Sequence, residues 1–335
     1  MTNQDAPIIQ MKTFPREDGS LSLWDHPSFS SYKTTPKTAH RPTTSLMDSI
    51  SYTSRWNQDF YQDRLTILKV IGDAICANEN QLRRYMALAG FTSSQTSTHI
   101  RYLRDRGFVD RHKCFIADYL DDEGQPISLK NPAPITLGIG GWYLMNHFYS
   151  GQFFAKPDMW FQQNGSAAIQ RYVALNEIRC AGIEAQFITN WRWYPMVGSS
   201  VHTKKPFALM QLGQLTEEYD ERSYMLIERA QMSQKFIEFL RTRLEEYRKI
   251  YQEFGYLKVA GVDKEAEVRV ILSVSSFLVA KALHNNIGLH KYPFDVWVLV
   301  DEWFDTGEPE AITTAFAMPN VANDVTQLQR IRLNT

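Results

Sequence analysis

Apolar positions along this chain recur with two different rhythms, and the change between them falls near residue 150. From Asn57 onward Phe60, Leu65, Leu68, Val70 and Ile71 return at the spacing of a single buried helix face. Residues 81–88 carry Leu82, Tyr85, Met86 and Leu88 in the same manner, and Gly90 stands where a glycine closes a helix. A third helix is predicted over 94–106, with Ser93 or Ser94 able to cap it. Thr96, Ile100 and Leu103 share one of its faces, and Phe108 continues that apolar surface. Residues 115–119 and 126–129 then read as two strands of a hairpin joined through Asp121, Asp122, Glu123 and Gly124. An apolar helix over 142–149 follows. Three helices, a hairpin and a helix are the order expected of a winged helix-turn-helix with one added C-terminal helix, here over 56–150.

Residues 151–165, with Gly, Pro, Asn and Gln, read as a connector. Beyond it a helix over 167–181 precedes strand-like runs at 184–194, 206–212 and 224–230. A long helix over 233–254 places Phe236, Phe239, Leu240, Leu244, Tyr247 and Tyr251 on one side. Arg241, Arg243, Glu245, Glu246, Arg248 and Lys249 cover much of the rest, the pattern of a helix packed on a sheet. Its length also suits a homodimer interface. A strand over 267–274, a helix over 276–286 and a strand over 295–300 complete an alternation that argues for a partly parallel α/β sheet over 165–305. The expected fold class is α+β, an N-terminal winged helix-turn-helix followed by an α/β domain. Residues 1–55, rich in Ser, Thr, Pro and Lys, read as a flexible arm or one wrapped on the body, and 306–335 as a C-terminal tail. A sharper reading of the arm has Lys33, Lys37, His40 and Arg41 touching a DNA backbone or a partner.

Bulk charge adds little. Lys and Arg number 36 against 37 Asp and Glu, a formal net charge of −1, so any nucleic-acid contact has to come from a local patch. Cys76, Cys114 and Cys180 lie far apart without a CxxC pair, which fits buried thiols in a reducing, cytoplasmic setting. The N-terminal MTNQDAPIIQMK has no signal-peptide core. The apolar run 268–283 is interrupted by Arg, Ser and Lys and falls short of the ~20 residues that span a bilayer, so no membrane partner is expected.

The local patch is residues 92–113, TSSQTSTHIRYLRDRGFVDRHK. Opposite the apolar face of the third helix lie Ser94, Gln95, Ser97, Thr98 and Arg101, with Arg104 one turn on. Short polar side chains near a helix N-terminus let it enter a major groove closely, and arginine pairs with guanine edges or phosphates. Helix N-terminal amides also favour phosphate. Ser94, Gln95, Ser97, Thr98 and Arg101 are therefore the candidates to read base edges of double-stranded DNA. Arg104, Arg106, Arg111 and Lys113 are the candidates to hold phosphates. Asp105 and Asp110 offset part of this charge, and the acidic turn at 121–123 is unsuited to phosphate. The alternatives are a solvated basic face and a winged helix used for protein contacts.

Other chemistry is sparse. There is no GxxxxGK[ST] and no GxSxG, and the glycines of 138–141 lack GxGxxG spacing, so no cofactor is expected. His112 and Cys114 could touch one metal, but no second pair completes a tetrahedral set, so no metal is expected there. His99, His147, His202, His284 and His290 are scattered. Trp191, Arg192, Trp193 and Tyr194 with Lys204 and Lys205 could stack on unpaired bases, although on a strand the two tryptophans share a face and are more simply core.

The order of elements resembles the replication-relaxation family of plasmid and mobile-element proteins, in which a winged helix precedes a domain similar to PD-(D/E)xK restriction-like nucleases. YVALNEIR at 172–179 resembles the helix opening that second domain, and 206–212 its strand beginning PDA. YMLIERA at 224–230 resembles its acidic strand, and 243–247 the later helix ending in Tyr. The resemblance spans about 57–300 and implies a role in plasmid or mobile-element replication, mobilisation or their control, with replication or mobilisation proteins as partners. A nuclease of this kind needs carboxylates converging on a divalent metal. Phe207 stands at the family's first acidic position and cannot bind metal. Glu228 is a candidate second carboxylate, but Ala230 stands where the lysine belongs, while Glu177 or Glu184 could supply a migrated one. A sheet domain without the metal site is the main expectation. A metal-dependent DNA nuclease using Glu228 is the alternative, and a protein-assembly factor the third reading.

Overall fold

The computed structural model describes residues 13–34, 42–120, 124, 126–128, 132–157, 159–199, 202–213, 223–232, 235–305, 307–322 and 325–333. Lys37, His40 and Arg41 of the arm and the acidic turn at 121–123 lie outside the described residues. The fold is mixed α+β, and the chain divides into two compact units, Ser28–Glu184 and a second that combines Met1–Pro27 with Ala185–Thr335.

In the first unit β1 (Phe29–Thr34) and α1 (Leu46–Thr53) precede α2 (Gln58–Ala74), β2 (Ala77–Asn78), α3 (Glu79–Leu88) and α4 (Ser93–Arg104). Next come β3 (Val109–Leu120), β4 (Pro126–Ser128), β5 (Pro134–Leu137), α5 (Ile139–Phe148) and α6 (Met159–Glu184), which breaks helical geometry at Gly165. The strands form an antiparallel sheet in the order β1-β3-β5-β2, with β4 also on β3. Leu68, Ile71, Leu82, Met86, Ile100, Leu103, Phe108, Ile135 and Leu137 form its core, so most of each helical stripe read from sequence points inward, whereas Phe60 and Leu88, counted in those stripes, are exposed. Each residue of this kind contributes about 1.5–3 kcal/mol when fully buried. The two-residue β2 carries no periodicity of its own and exists through pairing with β5.

Both boundaries expected for this unit shift. The supposed arm contributes β1, which pairs with β3 from Phe29↔Ile116 to Thr34↔Arg111, and α1, capped by Ser45. The helix assigned to the second domain, α6, packs with the first. Asn176 Nδ2 donates to the Ala74 and Cys76 carbonyls at 2.8 and 2.9 Å, and Gln81 Nε2 donates to the Val173 carbonyl at 2.8 Å. Arg84 grips Glu184 with two bonds of 2.7 and 2.6 Å. These are long-range polar contacts that no local pattern announces.

The second unit contains β6 (Ile188–Trp193), β7 (Val197–Gly198), β8 (Thr203–Lys204), β9 (Ala208–Leu212), β10 (Ser223–Arg229) and α7 (Phe236–Phe254). Then follow β11 (Glu267–Val274), α8 (Phe277–Ile287), β12 (Val296–Val300), β13 (Phe316–Ala322) and β14 (Val325–Ile331). Seven strands run β14-β13-β12-β11-β10-β9-β6, and β10, β11 and β12 are parallel neighbours joined through α7 and α8. The apolar runs of these three strands suit burial on both faces. Phe236, Leu240, Leu244, Tyr247 and Ile250 of α7 close the core, and Gly255 in left-handed conformation ends the helix. Phe239 stands off that stripe, 37 % exposed.

Here too the ends are structural, which corrects the reading of 306–335 as a tail: it supplies β13 and β14. Residues 13–27 lie against the carboxyl ends of the parallel strands. Buried Asp25 accepts from the Met232 amide at 2.7 Å and from Ser275 Oγ at 2.6 Å, and Ser276 Oγ donates to the Phe14 carbonyl at 3.0 Å. Arg229 pairs with Asp301 at 2.6 Å. Burial pushes the carboxyls of Asp25 and Asp301 up to about 6 against the opposing pull of Arg229.

Candidate nucleic-acid interface

Helix α4 begins one or two residues earlier than the capping serines suggest. Thr92 is the N-cap: its Oγ1 accepts from the Gln95 amide at 3.2 Å, while Gln95 Oε1 accepts from the Thr92 amide at 2.8 Å. This reciprocal capping box satisfies two helix-end donors and uses the amide oxygen of Gln95, a candidate base reader. Thr96, His99, Ile100 and Leu103 are buried, which turns the opposite face outward. Ser94, Gln95, Thr98 and Arg101 are exposed on that face. Ser97 is half-buried and accepts from Arg83 Nε at 3.1 Å while donating to the Ser93 carbonyl at 2.8 Å. Arg83, on α3, was not among the expected residues.

The four phosphate candidates separate in the structure. Arg104 is held by Asp105 at 2.9 Å, and Arg111 meets Glu79 at 3.2 Å. Arg106 lies over the Tyr102 ring, 3.6 Å from its centroid. Lys113 is exposed on β3, with its ammonium 6.0 Å from the Tyr32 ring. Arg101 has no ion-pair partner among the described residues. Lys33 is bound to Asp110 at 2.8 Å. Half-exposed ion pairs of this kind are worth at most about 1 kcal/mol, so exchange of their carboxylates for phosphate is cheap.

His112 and Cys114 are buried on β3. His112 Nε2 lies 3.1 Å from Thr136 Oγ1, and burial, with Lys33 nearby, lowers its pKa to about 4. Burial raises the Cys114 thiol to about 12. Among the described residues no group of three or more His, Cys, Asp or Glu side chains is placed to hold a metal ion. Arg192 donates to the Ala260 carbonyl at 2.9 Å, and Lys204 pairs with Glu246 at 3.4 Å. Trp191 and Trp193 are half-buried against each other, with centroids 5.2 Å apart. That cluster is engaged within its own unit.

Glu228, the carboxylate of the nuclease alternative, is fully buried. Its Oε1 accepts from Arg243 Nε at 2.8 Å and from the Tyr247 hydroxyl at 2.5 Å. Burial is the main reason the Tyr247 phenol is pushed well up, so it stays protonated and donates. The Glu–Arg–Tyr cluster thus ties β10 to α7. Glu177 and Glu184, proposed as migrated carboxylates, are engaged by Arg84 in the first unit, and Gln81 also donates to Glu177 at 2.8 Å. Phe207 is a half-buried residue whose amide bonds the Ile227 carbonyl at 3.1 Å. Among the described residues no helix is long and apolar enough to cross a membrane. No family model, curated protein or solved structure matches the chain.

Proposed function

We propose that the first unit is a winged helix that binds double-stranded DNA, with α4 in the major groove and the β3–β4 arm as the wing. The supporting observation is the outward face of α4: Ser94, Thr98 and Arg101 are exposed at successive helical turns, while the face behind them is packed into the core. Short side chains at the leading end admit close approach, and Arg101 has its donors available for a base edge. The order α2, β2, α3, α4, β3, β5, with β2 closing on β5, supports the winged-helix assignment. Under the resemblance to the replication-relaxation family, binding serves plasmid or mobile-element replication, mobilisation or their control.

The test is fluorescence anisotropy of the full chain against a random duplex pool and DNA from its own locus at several salt concentrations. Arg101→Ala is expected to cost about 1–3 kcal/mol of specific binding and relax preference at one base pair, while Lys113→Ala weakens all sequences alike. Equal binding by wild type and Arg101→Ala would remove α4 from the groove. The buried Arg243–Glu228–Tyr247 arrangement gives the nuclease alternative no support.

A further inference from the structure

We infer that Arg64 and Arg106, stacked on the two faces of Tyr102, form a paired guanidinium site for the phosphate backbone of bound DNA; the inference rests on the DNA reading above. The Arg64 guanidinium, from α2, lies 3.6 Å from the Tyr102 ring centroid, and that of Arg106, just beyond α4, also lies 3.6 Å from it. Two guanidinium groups so close to one centroid would overlap on the same face. They therefore occupy opposite faces, about twice that distance apart. The rings of Trp56 and Phe60, at 5.5 and 5.4 Å, enclose Arg64 further and leave it 9 % exposed.

Ring stacking attracts a cation but satisfies none of its N–H donors. The Arg64 side chain makes no hydrogen bond among the described residues, and its Nε is buried without a partner. Among the described residues the Arg106 guanidinium donates only to the Tyr102 carbonyl, at 3.3 Å. Neither has an ion-pair partner among the described residues. The carboxylates next to them in sequence are turned elsewhere, Asp63 to His99 at 3.7 Å and Asp105 to Arg104 at 2.9 Å. Burial above all, and the like charge of Arg106, push the Arg64 pKa down, while Tyr102 and Asp63 oppose this. Two fixed planar forks with open donors, and no carboxylate bonded to either among the described residues, match the oxygens of a phosphate. Free phosphate shares that chemistry, but location favours the DNA backbone. Tyr102 follows Arg101 on α4, about 100° round the helix from it, so the pair flanks the base-reading face.

The experiment is a salt titration of binding to a labelled random-sequence duplex, with inorganic phosphate alone as a second probe in thermal unfolding. Arg106→Gln, a half-exposed site, is expected to fold as wild type and to lower the slope of log K against log salt by about 0.9. Arg64→Lys keeps the buried charge, loses the stacked plane, and is expected to weaken every sequence about tenfold. Inorganic phosphate is expected to raise the wild-type melting temperature and to do so less in Arg106→Gln. DNA binding by the wild type with unchanged slope and affinity in both variants overturns the paired site and leaves the DNA reading standing. Protection by phosphate without any DNA binding by the wild type overturns both.

Discussion

Asn176 offers the sharpest test of how the first unit is held together. Ile75, at the end of α2, has φ 62° and ψ −59°, and the Cys76 amide bonds the Ala74 carbonyl at 2.7 Å across it. This is a γ-turn of the rare, strained hand, carried by a buried β-branched residue, and such backbone costs about 1–3 kcal/mol. The Asn176 amide clasps both sides of the turn, donating to the Ala74 and Cys76 carbonyls, while its Oδ1 accepts from the Tyr85 hydroxyl at 2.9 Å. Asn176→Ala removes these three bonds at about 1 kcal/mol each. It also leaves the buried Cys76 carbonyl short of a donor, at about 1–3 kcal/mol, whereas the Tyr85 hydroxyl keeps the backbone carbonyl of residue 176 at 3.3 Å. Allowing for partial relaxation, the loss is about 3–5 kcal/mol. Hydrogen exchange of the full chain locates it: the opening free energies of amides in α2 and α3 should fall by that amount. A fall below about 1 kcal/mol would show that the turn stands without its clasp and refute the reasoning.

The remaining predictions concern pH and a glycine, beside the DNA-binding tests already described. Asp25 and Asp301 ionise near 6 in the fold and near 4 unfolded, so the second unit is penalised at neutral pH and gains stability as pH falls through about 6. Asp25→Asn should flatten that response in urea midpoints measured from pH 7.5 to 5. His112 acts in the opposite direction: its contribution is present above the unfolded value near 6.5 and is lost as pH falls toward about 4, so hydrogen exchange should find β3 loosening over that window. Gly141→Ala would drive a methyl into the Phe108 carbonyl and against Leu137 and Leu68, and should cost at least about 3 kcal/mol by urea denaturation. Gly151→Ala meets open space and is the matched control.

Every helix but α1, and the strands β3, β4, β6, β9, β10, β11 and β12, are legible because each buries one face, and a buried face imprints its own period on the chain. The stripes of α2, α3, α4 and α7 and the apolar runs of β10, β11 and β12 are of this kind. So is the polar face of α4, whose outward residues follow once Thr96, Ile100 and Leu103 point inward. Tertiary structure alone decided the rest. It assigned α6 to the first unit through Asn176, Gln81 and Arg84, and it turned the supposed arm and tail into β1, β13 and β14. It bound Arg104 and Arg111 to neighbouring carboxylates, enclosed Glu228 between Arg243 and Tyr247, and brought Arg64 and Arg106 to one ring. The physical reason is range. Periodicity and capping are set by neighbours within a turn or two, whereas a charge's partner and a strand's neighbour depend on residues that only folding brings together.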